Sequence, residues 1–219
     1  MTEQTLHQQL KQVYSGDGGL VEAQVSGYRV DVLKDGVMVE VQTQGFYSLR
    51  RKIRELASIG RLRLVYPVAR RKWIVKLSKE HQLLSRRRSP KRGRVEDVFN
   101  QLVYVPNLLV SPGFEVEVAL VDLEEVRVER GRRRRRRRWS VYDRRMLEFV
   151  DSRLFSSPEE LGALLPESLP QAFTSRELSR ELGITVGLAR RMLYTLYHMG
   201  QVERCGKVGR SYLYRNPQG

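Results

Sequence analysis

The stretch VEAQVSGYRVDVLKDGVMVEVQTQGF, residues 21–46, contains two tight-turn signals set among alternating polar and apolar residues. Asp35-Gly36 is a strong signal for a two-residue hairpin turn, and Ser26-Gly27 is a weaker signal of the same kind. Because a two-residue turn fixes the register of the strands on either side, the two turns together predict a three-stranded antiparallel meander.

The predicted register places three acids in one row across this meander. Asp31 faces Glu40 across one turn, and Glu22 faces Asp31 across the other. Like charges directly opposite each other destabilise a sheet, so the row needs a compensating cation. Mg²⁺ accepts carboxylate oxygens, and two neighbouring carboxylates can share one ion. The valines of the meander alternate with the acids and are predicted to face the core: Val30, Val32, Val39 and Val41.

A second interpretation of the row needs no metal. The acids could lie on a solvated outer face of the sheet, with Arg29 and other cations neutralising them. The acids sit among basic segments, which favours a local site over a generally acidic surface.

The composition indicates a polyanionic partner. The chain has 219 residues, a formal charge of +15 and a sequence pI of about 10.3. Nucleic acid is the first candidate partner and an acidic membrane surface the second. No apolar run approaches the roughly 20 residues needed to span a bilayer, and residues 1–14 lack the apolar core of a signal peptide. The single cysteine, Cys205, excludes an internal disulfide and a multi-cysteine zinc site, so we expect a soluble cytoplasmic protein.

Up to residue 130 the pattern predicts an α/β segment. Further elements are expected as follows: helices over 4–14, 48–60 and 95–105, strands over 61–68 and 72–77, a basic loop over 85–94, and a strand or hairpin over 114–131. The seven arginines at 132–138 form a natural boundary. They are predicted to be an extended or disordered strip that holds phosphates without reading sequence.

The residue pattern after the arginines is typical of helices. A helix is predicted over 139–154, and Ser157 and Thr174 are predicted N-caps of two further helices. The order that follows is turn, helix, glycine, strand, glycine-rich tip and strand. This part, about residues 139–215, resembles a winged helix-turn-helix domain.

The second helix of this motif has the two faces that DNA recognition requires. Ala189, Met192, Leu193, Leu196 and Met199 are predicted to point inward, and Arg190, Arg191 and Tyr194 outward. Outward cations suit phosphates and base edges, and the hairpin tip adds Lys207 and Arg210. The alternatives are that these are ordinary solvated charges, or that the winged helix docks a protein.

Residues 4–78 resemble the PD-(D/E)XK nuclease superfamily. The resemblance lies in a helix, strands carrying Asp31 and Glu40-Val-Gln42, an amphipathic helix and further strands. It implies a restriction-endonuclease-like mixed sheet flanked by helices, with Asp31 and Glu40 binding Mg²⁺ and Glu22 matching an additional upstream acid. Mn²⁺ is expected to substitute. Gln42 stands where the superfamily usually has lysine, and Lys52 on the next helix is the alternative lysine.

Together the two resemblances imply a metal-dependent DNA endonuclease positioned on DNA by a winged helix. Its predicted catalytic residues are Glu22, Asp31, Glu40 and Gln42, and its predicted DNA-binding residues are Lys52, Arg190, Arg191, Tyr194, Lys207 and Arg210. The predicted organisation is a nuclease-like domain over 1–130, a linker over 131–138 and a winged helix-turn-helix domain over 139–219. DNA is the expected partner, no membrane is expected, and a homodimer is compatible with this interpretation.

Two other function classes stay open. Gln42 cannot act as a base, so the chain could be a non-catalytic DNA-binding regulator with a silent nuclease-like domain. An RNA- or ribosome-associated basic protein would leave the acid row and the winged helix unexplained.

Overall fold

The structure, a computed structural model, describes residues 5–43, 45–129 and 139–217. The arginine run at 132–138 therefore lies outside the described residues, as does the linker predicted there. Among the described residues, no helix is long and apolar enough to cross a membrane. The fold is α+β, with a large mixed sheet flanked by helices.

The chain divides into two compact units. The first consists of Met1–Thr43, Val65–Val95 and Val118–Arg153, and the second of Gln44–Leu64, Glu96–Glu117 and Leu154–Gly219. Strands β4 and β6 each pass from one unit into the other along the chain.

The described residues place seven strands in the large sheet. Their order is β1-β2-β3-β4-β6-β7, and β5 pairs with β4 beside this path. The bounds are α1 Thr5–Ser15, β1 Leu20–Val25, β2 Tyr28–Lys34, β3 Val37–Val41, α2 Arg50–Ile59, β4 Leu62–Leu77, β5 Leu83–Arg88, α3 Phe99–Leu102, β6 Phe114–Glu129 and β7 Trp139–Phe155. Short 3₁₀ turns cover Phe46–Leu49, Val95–Val98 and Leu108–Val110.

Both predicted turns of the meander are present. Ser26 and Gly27 have φ of 47° and 83°, and Asp35 and Gly36 have φ of 50° and 75°. Two consecutive positive φ angles define the hairpin turn whose twist matches that of the flanking strands, and glycine adopts them at little cost. The predicted antiparallel registers are confirmed by the pairs Val25–Tyr28, Gln24–Arg29, Lys34–Val37 and Leu33–Met38.

The core of the first unit lies between α1 and the valine-rich strands. Leu6 and Leu10, one helical turn apart on α1, are buried in the same cluster as Val32, Val39 and Val41. Val30 is buried as well, so the four valines predicted to face the core are all buried. This packing holds α1 against the meander that carries the three acids.

The C-terminal part of the second unit is a small helical module with its own sheet. Its elements are α4 Pro158–Gly162, β8 Ala172–Thr174, α5 Ser175–Leu182, α6 Val186–His198, β9 Glu203–Val208 and β10 Ser211–Arg215. The three strands pair in the order β8-β10-β9. Ser157 and Thr174 are N-caps as predicted, and Thr174 forms a reciprocal capping box with Glu177.

Several predicted elements are wrong. Residues 139–154, predicted as a helix, lie in strand β7, which pairs with β6. The predicted basic loop at 85–94 instead includes part of β5, because Ser85 and three arginines pair with β4. The two strands predicted at 61–68 and 72–77 are one strand, β4, and the helix predicted over 95–105 is limited to a 3₁₀ turn and the short α3.

Candidate functional site

Helix α6 separates buried and exposed residues as predicted. Thr185 caps its N-terminus, since its hydroxyl accepts from the Leu188 backbone N–H at 3.2 Å. The five residues predicted to point inward are buried: Ala189, Met192, Leu193, Leu196 and Met199. Arg190, Arg191 and Tyr194 are exposed. Arg191 Nη1 donates to Asn100 Oδ1 at 3.1 Å, and this holds one of the outward cations in a defined position.

The β9–β10 hairpin adds further exposed cations beside aromatic rings. Lys207 and Arg210 are exposed, as predicted for the hairpin tip. Arg204 was not predicted, and its guanidinium lies 4.3 Å from the ring centroid of Tyr197 and 4.1 Å from that of Tyr212. Both distances are within the range of a cation–π interaction. The hairpin therefore presents a mixed aromatic and cationic surface, not isolated charges.

Glu22 is neutralised by two cations in the structure. Its carboxylate forms ion pairs with Lys11 of α1 and with Arg29 of β2. Glu22 also has φ of 58°, in the left-handed region that a residue with a side chain adopts at a cost. The register pairs Val21–Val32 and Ala23–Val30 on either side keep Glu22 opposite Asp31. Arg29 thus has the role that the metal-free interpretation gives it.

Asp31 is held by a helix and a strand. His7 Nε2 lies 3.1 Å from Asp31 Oδ2, and the Val41 backbone N–H donates to the same oxygen at 2.8 Å. The β2–β3 pairs extend as far as Val32–Val39, and Asp31 and Glu40 are the residues next to this last pair on the two strands. The carboxylate of Asp31 is therefore oriented at the end of the paired region.

Glu40 and Gln42 lie on and just after β3. Glu40 is 4 % exposed, which is rare for a carboxylate. Gln42 is half-buried, and its backbone N–H donates to the Val65 carbonyl at 2.8 Å. Lys52, the alternative lysine, is half-buried on α2. Within the described ranges, no three His, Cys, Asp or Glu side chains are grouped so that they could hold a metal ion.

The residues present fit Mg²⁺ in part. Asp31 and Glu40 supply the carboxylate oxygens that Mg²⁺ prefers, and both lie directly next to the last β2–β3 pair, Val32–Val39. Glu22 fits less well, because Lys11 and Arg29 already occupy its carboxylate and would compete with a metal. Its assignment as a third ligand stays a prediction.

Buried acids on β6 are paired with arginines of β4. Asp122 accepts from Arg70 Nε at 3.1 Å and Nη2 at 3.0 Å, and from Arg71 Nε at 2.6 Å. Burial disfavours the charged carboxylate, but the hydrogen bonds from the two guanidinium groups outweigh it and lower the pKa of Asp122 to about 2. These pairs hold the middle of the sheet together.

Sequence reasoning missed three residues that the structure brings to the candidate sites: His7, Lys11 and Arg204. His7 and Lys11 are four residues apart on α1, a spacing that places both on one face. That spacing is a usable signal once α1 is recognised as a helix. No comparable signal marks Arg204, because its ring contacts depend on how the hairpin packs beside α6.

The comparisons with known proteins identify the family of this chain. A family model described as "Domain of unknown function (DUF8091)" matches residues 4–156, and the chain belongs to this family. The chain is also similar to an "Uncharacterized protein" of Treponema pallidum (strain Nichols). The two are 31 % identical over 215 residues, which cover 97 % of this chain and 85 % of that protein. No solved structure matches the chain.

Proposed function

We propose that this protein binds DNA through α6 and the β9–β10 hairpin. The observation that carries this proposal is the division of α6 into a buried apolar face and a face with exposed Arg190, Arg191 and Tyr194. The element order α4-β8-α5-α6-β9-β10 resembles that of a winged helix-turn-helix domain, in which the second helix of the motif enters the major groove.

Charge elsewhere in the chain supports a polyanionic partner. Strand β5 exposes all six of its residues, including three consecutive arginines, Arg86, Arg87 and Arg88. Pairing with β4 fixes their spacing along an ordered strand. Each phosphate that such cations neutralise releases counterions, so they add affinity without sequence information.

We further propose that the part from α1 to β4 hydrolyses the DNA backbone with a divalent metal. The order α1-β1-β2-β3-α2-β4 favours this second function, as do the positions of Asp31 and Glu40 next to the last β2–β3 pair, Val32–Val39. Asp31 and Glu40 would hold Mg²⁺ or Mn²⁺. When bound, the ion would activate water for attack on phosphorus and neutralise charge on the phosphate.

The chain's own residues would orient the reacting groups. His7 and the Val41 N–H hold Asp31 Oδ2 in one direction. Gln42 can donate or accept a hydrogen bond but cannot take up a proton, so its role would be to position water or phosphate. The alternative remains a DNA-binding regulator without catalysis. The ion pairs of Glu22 with Lys11 and Arg29 favour it, because they neutralise one acid of the row without a metal.

One experiment separates these functions. The full chain is incubated with labelled duplex, branched, lesion-bearing and single-stranded DNA in Mg²⁺, Mn²⁺ or EDTA, and binding is measured in EDTA on the same preparation. Cleavage that requires the metal supports the endonuclease. Normal binding without cleavage on any substrate supports the regulator, and an absence of binding at low salt would refute the DNA-binding proposal.

A further inference from the structure

Six aromatic and cationic side chains form a continuous surface from α6 to β10. We call it the aromatic ladder; its members are Tyr194, His198, Tyr197, Arg204, Tyr212 and Lys207. The centroid of His198 lies 4.4 Å from that of Tyr194 and 5.5 Å from that of Tyr197. Arg204 bridges Tyr197 and Tyr212 at 4.3 and 4.1 Å, and Lys207 Nζ lies 5.0 Å from the Tyr212 centroid.

An irregularity in the hairpin creates the cationic end of the ladder. Residues 204 and 207 are separated by an odd number of positions, so in a regular strand they would point to opposite faces. The β9–β10 register shifts between Leu213 and Tyr214, which places Tyr214 opposite Arg204 and leaves an extra residue in β9. Such a bulge changes the direction in which the following side chains point, and here Arg204 and Lys207 both contact the ring of Tyr212.

The rings of the ladder are not core residues. The exposed fractions of Tyr194, Tyr197 and Tyr212 are 38 %, 37 % and 42 %. Tyr214, which lies on β10 like Tyr212, is only 7 % exposed. All residues of β9 after Glu203 are exposed as well. A contact that served only to fix the hairpin would bury its rings, as Tyr214 is buried. The ladder instead leaves part of its aromatic and cationic surface in contact with solvent.

This chemistry fits unpaired nucleotides. Every base has a π-face, and proteins that bind single strands combine aromatic stacking with cations that follow the phosphates. Paired bases inside a duplex do not expose these faces. We propose that the aromatic ladder binds unpaired bases, so that the preferred ligand of this module is DNA carrying a single-stranded segment. The inference rests on the proposed DNA binding and names the class of DNA.

The test compares three labelled DNAs of equal length: a duplex, a single strand, and a duplex with a single-stranded flank. Binding of the full chain is followed by fluorescence anisotropy in EDTA. We expect Tyr212→Ala with Tyr197→Ala to weaken binding of the two DNAs with unpaired bases by about tenfold or more, and duplex binding by less than about twofold. Tyr212→Trp should retain the binding, since indole also stacks.

Controls separate stacking from folding. Tyr142→Ala removes an exposed tyrosine of the other unit and should leave all three affinities unchanged. Melting temperatures show whether the ladder variants fold, and the folded Tyr212→Trp variant keeps the test valid if an alanine variant does not.

The outcomes have distinct meanings. Equal losses on duplex and unpaired DNA, or no loss on either, would overturn the ladder as a site for unpaired bases while leaving DNA binding intact. Tighter binding of a single-stranded RNA of the same sequence would overturn DNA as the partner. If the wild-type chain binds none of the DNAs, the DNA-binding proposal itself is refuted, and the ladder proposal that rests on it is refuted as well.

Discussion

His7 Nε2 and the Val41 backbone N–H approach the same atom, Asp31 Oδ2, at 3.1 and 2.8 Å. The contact from His7 crosses from α1 to β2, and the contact from Val41 crosses from β3. The carboxylate is therefore held by α1 and β3, and Leu6, Leu10 and the valines of the same buried cluster pack these two elements against β2. Because contacts from two other elements orient this carboxylate, Asp31 is the first residue to test for the proposed metal site.

Asp31→Asn and Glu40→Gln should each lower the rate of metal-dependent DNA cleavage by roughly 100-fold or more. DNA affinity should be largely kept. Each change removes a carboxylate that would hold the ion, and binding draws most of its free energy from the basic surface. Cleavage rates and anisotropy on the same preparation measure both effects. Parallel loss of binding and cleavage would show that the acids serve folding or DNA contact instead.

Glu22→Gln and Gln42→Lys serve as matched comparisons for that experiment. We expect Glu22→Gln to retain part of the cleavage, because Lys11 and Arg29 hold this carboxylate in the structure. A loss as complete as that of Asp31→Asn would make Glu22 a third metal ligand. Gln42→Lys supplies a cation where the amide stands, and its activity should equal or exceed that of the wild type.

Arg190→Ala with Arg191→Ala should weaken duplex binding most at low salt. Each lost phosphate contact makes the negative slope of log K against log salt less steep by close to one unit. Affinities measured from about 50 to 200 mM salt give this slope. Arg51→Ala with Arg54→Ala, two exposed arginines on α2, is the control for a general loss of charge. Identical slopes for the Arg190/Arg191 variant and the wild type would exclude this face of α6 from DNA contact.

Asp122→Asn should make the protein less stable at neutral pH and less sensitive to acid. The folded-state pKa of Asp122, about 2, lies below its ordinary value of 3.8, so its stabilising effect is present above pH 4 and disappears as the pH falls toward 2. Loss of the carboxylate leaves Arg70 and Arg71 without this partner, and we expect a decrease of about 1 to 3 kcal/mol in the free energy of unfolding at pH 7.

Denaturant titrations of wild type and Asp122→Asn at several pH values between 2 and 7 measure both effects. The difference between the two proteins should shrink below pH 4. Glu124→Gln is the control, because it breaks one ion pair with the half-exposed Arg86. It should lower the free energy of unfolding by less than about 1 kcal/mol. A difference between wild type and Asp122→Asn that stays constant over this pH range would contradict the predicted role of ionised Asp122.

Thr174→Ala should destabilise the C-terminal module by about 1 kcal/mol. The Thr174 hydroxyl accepts from the Arg176 backbone N–H at 3.3 Å, and the Glu177 carboxylate accepts from the Thr174 backbone N–H at 2.6 Å. Alanine removes the first of these contacts. Thr174→Ser keeps a hydroxyl and should behave like the wild type. Thermal unfolding followed by circular dichroism measures the change, and equal transitions for the alanine and serine variants would show that the cap contributes nothing.

The sequence contained enough information for the meander and for α6. Asp35-Gly36 and Ser26-Gly27 adopt the positive φ angles of tight turns, so the register of the acids follows from local chemistry alone. The apolar spacing on α6 likewise separates its buried and exposed faces, because a helix has one strong period.

The wrong elements are those that depend on partners distant in sequence. Residues 139–154 have apolar positions compatible with a helix, but pairing with β6 makes them a strand, since strand preference depends strongly on context. Residues 85–88 are charged enough to suggest a loop, yet backbone pairing with β4 needs no apolar side chain, and an edge strand tolerates charge. The contacts of His7 with Asp31 and of Lys11 with Glu22 also depend on tertiary packing.

The pairing of β7 with β6 decides where the chain can be divided for expression. A fragment ending at Arg138, where the composition changes most abruptly, would lose β7 and leave the backbone groups of β6 exposed on that side. The exposed edge of β6 would promote edge-to-edge aggregation, because the strand is long and carries Val121, Leu123 and Val126. An N-terminal fragment therefore has to extend at least through Phe155, the end of β7, which is close to the end of the family match at residue 156.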